Sequence, residues 1–105
     1  MKIKISENAE KHLDSIFNFI YSVNERAAID TYNIILDEID FLAKQPKMAA
    51  KEWLLEEFPR EYRSLVVKKK YKVIYFIEDE IVHISAVWDC RRNPDTLVND
   101  MYKLN

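Results

Sequence analysis

Glycine is absent from all 105 residues, and that absence removes whole classes of function. Loops that cradle a phosphate or a dinucleotide use glycine, because only a residue without Cβ lets the backbone approach the phosphate closely. A Walker-type loop and a dinucleotide-binding fingerprint are therefore both excluded. Two-residue type I′ hairpin turns also favour glycine at positive φ, so the sequence predicts turns of three residues or more at 68–70 and 78–80. Cysteine occurs once, as Cys90, which leaves no internal disulfide and predicts a reducing, cytoplasmic setting. His12, His83 and Cys90 are scattered along the chain and fall short of the closely spaced ligand set that zinc needs. No metal and no cofactor is expected. No apolar run approaches the roughly 18–20 residues of a membrane span, and the opening Met1-Lys2-Ile3-Lys4-Ile5 lacks the apolar core of a secretory signal. No membrane partner is expected either.

What is present describes a single soluble domain over residues 1–105, about half apolar and one-third charged, which is long enough to bury a core of its own. The net charge of −2 hides an asymmetry. Residues 1–59 carry seven basic and eleven acidic side chains, whereas residues 60–92 carry eight basic and five acidic ones. A local basic field of this kind can steer an anionic partner although the total is negative. A solvated charged surface is the plainer reading.

The strongest pattern lies between Tyr62 and Trp88. Tyr62–Val67, Tyr71–Ile77 and Ile81–Trp88 are rich in β-branched and aromatic residues, the composition of strands. Lys68-Lys69-Lys70 and Glu78-Asp79-Glu80 separate them, which predicts an antiparallel meander ending in Arg91-Arg92. Before it, Lys2-Ile3-Lys4-Ile5 alternates with the period of a short strand. Ser6 and Glu7 suit a helix start, and Ala9, Leu13, Ile16, Phe17 and Ile20 form one apolar helical face. Ser22-Val23-Asn24-Glu25 has the form of a capping box and predicts a second helix, with its apolar face on Ala28, Tyr32, Ile35, Leu36, Ile39 and Leu42. Pro46 ends it. Residues 46–61 read as an irregular connection with one helical turn, Trp53, Leu54, Leu55 and Phe58 against the core and Glu52, Glu56 and Glu57 in water. Asn93-Pro94-Asp95 is a turn signal, and residues 95–105 form a short terminal helix or a tail. The class is α+β in the order β-α-α-β-β-β, with a helical hairpin packed on one face of a four-stranded, mostly antiparallel sheet.

Chemistry-bearing residues are few. A Cys90–His83 nucleophile pair is conceivable, but plain packing is the commoner use of a cysteine at a strand end. Arg63, Lys72, His83 and Arg91 lie on or just beyond the meander strands. Sharing a face, the three cations would serve a phosphate and His83 would exchange a proton, as cleavage of RNA through its 2′-hydroxyl demands. Charges that keep sheet edges soluble are the alternative.

The chain resembles the RelE/ParE superfamily of toxins from bacterial type II toxin–antitoxin systems over almost its whole length. The resemblance is carried by the helical hairpin running into Phe41-Leu42-Ala43-Lys44-Gln45-Pro46. It continues through Tyr62-Arg63-Ser64-Leu65-Val66-Val67 and Tyr71-Lys72-Val73-Ile74-Tyr75-Phe76-Ile77, and closes at Val87-Trp88-Asp89-Cys90-Arg91-Arg92-Asn93-Pro94. It implies a growth-inhibiting toxin neutralised by a cognate antitoxin, with one of two targets. RelE-like members cleave mRNA on the ribosome as metal-independent endoribonucleases; ParE-like members bind DNA gyrase and cleave nothing. Against the RelE-like residue set, Arg63 and Arg91 match and Lys72 replaces an arginine. Leu65 stands where a second basic residue belongs, and Leu97 falls near the position of a tyrosine. The balance favours the ParE-like branch, with Arg91, Arg92 and Trp88 as target-binding candidates. The nuclease reading would use Arg63, Lys72, His83 and Arg91, and an inactive relative is the third alternative. Tyr21, Tyr32 and Phe41 are candidate antitoxin contacts, since an extended or helical peptide binds by covering such side chains.

Overall fold

The computed structural model describes residues 1–104. Strand β1 (Lys2–Ile5) is followed at once by helix α1 (Glu7–Tyr21). Ser6 makes the transition: its backbone is extended and its Oγ accepts the Ala9 N–H at 3.0 Å, satisfying one of the donors a helix start leaves free. Helix α2 (Glu25–Phe41) begins from Asn24, whose Oδ1 accepts the Ala27 N–H. The predicted capping box on Ser22 does not form. Ser22 instead closes α1, its hydroxyl donating to the Phe19 carbonyl, because the chain needs Val23 and Asn24 to reverse between the helices.

The sheet has five strands in the order β1-β5-β4-β3-β2, where β2 is Ala50–Lys51, β3 Arg63–Val67, β4 Tyr71–Glu78 and β5 Ile81–Asp89. β1 lies at one edge, parallel to β5, and the other pairings are antiparallel. The fifth strand was hidden in the irregular connection. Ala50 and Lys51 pair with Ser64 and Arg63, a two-residue element too short to show periodicity. A single 3₁₀ turn, Trp53–Leu55, follows.

The β4–β5 hairpin holds a further departure from expectation. Glu78 pairs with Ile81, so Asp79 and Glu80 alone form the β4–β5 turn, both at positive φ (55° and 61°). In the β3–β4 hairpin three residues, Lys68 to Lys70, separate the paired Val67 and Tyr71 as predicted, with Lys68 and Lys69 likewise at φ 55° and 58°. The right-handed twist of the strands selects this turn geometry even without glycine. A residue with a Cβ pays roughly 1–2 kcal/mol at each such position.

β4 alternates strictly between two cores. Tyr71, Val73 and Tyr75 turn to the α1–α2 hairpin, where they meet Ala9, Leu13, Ile35, Ile39 and Leu42. Ile74 and Phe76 turn to the opposite face, which is covered by the 3₁₀ turn and by helix α3 (Pro94–Leu104) through Leu55, Leu97 and Met101. The sheet is thus covered on both faces, where the sequence predicted a helical layer on one. Strand β5 carries a bulge: Ile74 pairs with Ala86 but Tyr75 with Ile84, leaving Ser85 as an extra residue. The bulge reverses the side-chain alternation, so Ile84 faces the hairpin and Ala86 and Trp88 face α3.

Candidate functional site

The four basic residues singled out for phosphate chemistry do not converge. Arg63 lies opposite Tyr75 on the hairpin face. Its guanidinium donates to the Ala49 carbonyl at 2.7 Å and reaches Glu61 at 3.4 Å, while the Tyr75 hydroxyl donates to the Pro46 carbonyl. Arg63 and Tyr75 thereby pin the 46–49 segment to the sheet. Lys72 opposes Val66 and Trp88 on the other face. Its Nζ is held at 2.5 Å by Glu52, which is only 3% exposed. The second Glu52 oxygen accepts the Leu54 N–H and caps the 3₁₀ turn. Glu52 was expected in water; the lysine opposite it makes burial tolerable, since a paired and hydrogen-bonded carboxylate can leave solvent.

His83 pairs with Phe76 across β4–β5, and the two rings stack at 4.7 Å. Phe76 stands four residues along β4 from Lys72, about 14 Å away at strand rise. Cys90 lies seven residues along from His83, about 23 Å by the same measure, so no nucleophile pair exists. Partial desolvation pushes the thiol of the otherwise exposed Cys90 up. Arg91 sits beyond the end of β5 in a forked pair with Asp89, at 2.9 and 2.7 Å. The hydrogen bonds from Arg91 hold the Asp89 carboxyl below its usual range. Arg92 stacks over the Trp88 ring at 4.3 Å. Trp88 is 3% exposed, so a partner arriving at this end meets Arg91 and Arg92, with Trp88 as their support.

His12 belongs to the same end and was not singled out by its sequence context. β1 pairs with β5 only as far as Ile84, and beyond that point α1 takes over the strand edge with side chains. Asn8 and Ser6 donate to the Ser85 carbonyl, and His12 Nδ1 accepts the Val87 N–H at 3.1 Å. Burial lowers the His12 pKa, opposed by Asp100 and assisted by Arg92, so the imidazole stays neutral as the acceptor role requires. A cleft of about 400 Å³ on the α3 face groups Lys4, Arg60 and His83 around Phe76. Arg60 lies over the Phe76 ring at 4.3 Å and pairs loosely with Glu78. The period of β1 and its parallel register to β5 place Lys4 beside His83; only the register could have revealed that.

Among the hairpin aromatics, Tyr21 and Tyr32 flank Phe17 in one cluster, with ring centroids 5.6 and 5.7 Å from it. Tyr21 is exposed and Tyr32 is half-buried against the core. Phe41 is exposed at the far end of α2, nine residues and about 14 Å from Tyr32. Phe19 and Val23 are more exposed than any of these three.

A family model described as the ParE toxin of the type II toxin–antitoxin system parDE matches residues 3–94. The chain belongs to this ParE toxin family. The match spans both helices of the hairpin and all five strands and stops where α3 begins. A solved structure described as the chromosomal ParDE TA system from P. aeruginosa is similar in fold. Its TM-score is 0.72 at 16% identity, covering 85% of this chain and 95% of that one. No curated protein sequence matches. ParE membership makes the chain a toxin of a type II system and implies a cognate antitoxin. No helix among the described residues is long and apolar enough to cross a membrane.

Proposed function

We propose that this toxin acts by docking on DNA gyrase, cleaves no nucleic acid, and is held inactive by its antitoxin. The reading rests on one observation: the basic residues a nuclease would need are divided between opposite faces of the sheet. Arg63 is committed to the Ala49 carbonyl and Glu61 on one face, and Lys72 to the buried Glu52 on the other. Cleavage through a 2′-hydroxyl needs a base, a phosphate clamp and an acid within hydrogen-bond reach of one phosphodiester. A docking toxin needs only a surface. Arg92, exposed over the Trp88 ring beyond the end of β5, supplies a cation there, with Arg91 beside it in its pair with Asp89, and cations at an interface rim govern encounter with acidic partners. The exposed Phe19, Tyr21 and Val23 on the hairpin offer apolar area for the antitoxin to cover.

Induced expression without antitoxin, with DNA and protein synthesis followed by pulse-labelling in one bacterial culture, tests this reading. DNA synthesis is expected to fail first, and purified chain is expected to inhibit supercoiling by gyrase. Arrest of amino-acid incorporation first, with cleaved mRNA, would overturn it in favour of the ribosome-dependent nuclease. No effect on either process would mark an inactive relative.

A further inference from the structure

The 3₁₀ turn and α3 enclose a small pocket of about 180 Å³, lined by Trp53, Phe58 and Tyr102 together with Glu56 and Glu57. We propose that it is a binding site for one cationic side chain, an arginine or lysine presented by a basic partner peptide.

Three features point to that occupant. The first is aromatic surface left out of the core. Trp53 is 70% exposed and Tyr102 60% exposed. Phe58 lies at the base, buried against Tyr62 and in ring contact with Tyr102 at 4.7 Å. Leu54 and Val98 support the wall from the core below. A guanidinium or ammonium is attracted to such ring faces by their quadrupole.

The second feature is charge. Glu56 and Glu57 line the pocket and form no ion pair among the described residues, in contrast to Glu52 and Glu61 nearby, which are matched by Lys72 and Lys51. Two free carboxylates beside three aromatic rings complement a cation and repel an anion. The third is size. The volume suits a single side chain and is too small for a folded element or a nucleotide, whose pockets run to roughly 300–1,000 Å³. The site needs both the connection after β2 and α3, which lies almost wholly beyond the family match, and it does not depend on which target the toxin has.

Titration of the isotope-labelled full chain with N-acetyl-arginine methylamide tests the proposal by NMR. Its neutral isostere, the citrulline derivative, is the comparison. The arginine probe is expected to give saturable shifts confined to the pocket lining, Trp53 to Phe58 together with Val98 and Tyr102. Binding should weaken with salt, and be at least about fivefold weaker for the citrulline probe and for the Glu56→Gln/Glu57→Gln variant. Both glutamates are exposed, so this variant keeps the fold. Equal binding of the neutral probe would reduce the site to a plain apolar pocket and overturn the proposal. So would shifts centred on other residues, or no saturation with the arginine probe.

Discussion

The two faces of the sheet are built differently. On the hairpin face, two long helices lay continuous apolar stripes over Leu65, Val67, Val73 and Val82, and the polar bonds there, such as Arg63 to Ala49 and Tyr75 to Pro46, tie chain segments to the sheet. On the α3 face, a 3₁₀ turn and one short helix cover a smaller cluster, and the gaps hold a buried ion pair, a basic cleft and an aromatic pocket. Thick, uniform packing gives stability; thin and interrupted packing leaves concavities lined by charge. The hairpin face carries the fold, and the α3 face carries most of the candidate chemistry.

The comparison breaks most directly at Ile35, which is fully buried under the hairpin. Ile35→Ala is expected to cost about 4 kcal/mol in urea denaturation, as large-to-small changes in well-packed cores do. A loss below about 1 kcal/mol would deny that this face dominates. Next comes Lys72→Ala, which strands the buried Glu52 carboxylate and is expected to cost about 3 kcal/mol, toward the low end for a broken buried pair because Lys72 is partly exposed. Replacing both partners, Lys72→Met with Glu52→Gln, should recover most of that loss. Loss of toxicity in Lys72→Ala therefore needs the stability measurement beside it before it is read as loss of a functional group.

His12 sharpens the comparison at the boundary between the faces. His12→Leu removes the acceptor for Val87 N–H and is expected to cost about 1–2 kcal/mol. It should also flatten a pH dependence. The folded-state pKa of His12 is lowered from its ordinary 6.5, so as pH falls below that value the unfolded chain takes up the proton first. Stability is present above the unfolded value and is lost as pH falls towards the folded one. Denaturation at about pH 7.5 and about pH 5.5 should show a drop that is smaller in His12→Leu. The smallest expected effect is a gain: Glu80→Gly relieves a side chain held at φ 61° and should stabilise by about 1 kcal/mol.

Much of the fold was legible because its signals are periodic. The faces of α1 and α2, the three meander strands and the α+β class all follow from residue spacing, and Ala28, Ile35, Ile39 and Leu42 are buried as their 3.6-residue period predicts. Two-residue β2 was not legible because it depends on its partner strand β3. Nor were the cap on Asn24 and the glycine-free I′ turn, because the chain reversal and the strand twist select them over equally plausible local alternatives. The candidate site was less legible still. Arg63 and Lys72 sit on adjacent paired strands, yet an odd offset in register sends them to opposite faces.

By composition and order alone, this chain determines a glycine-free α+β fold with a helical hairpin and a meander, because burial periodicity is written locally. Which charges are free, and which are consumed, was decided only by the tertiary structure. Glu52 takes Lys72, Asp89 takes Arg91, and Glu56 and Glu57 are left beside Trp53. Pairing between charges depends on distances of a few ångströms across strands, and sequence spacing does not encode those distances until the register and the bulge at Ser85 are set.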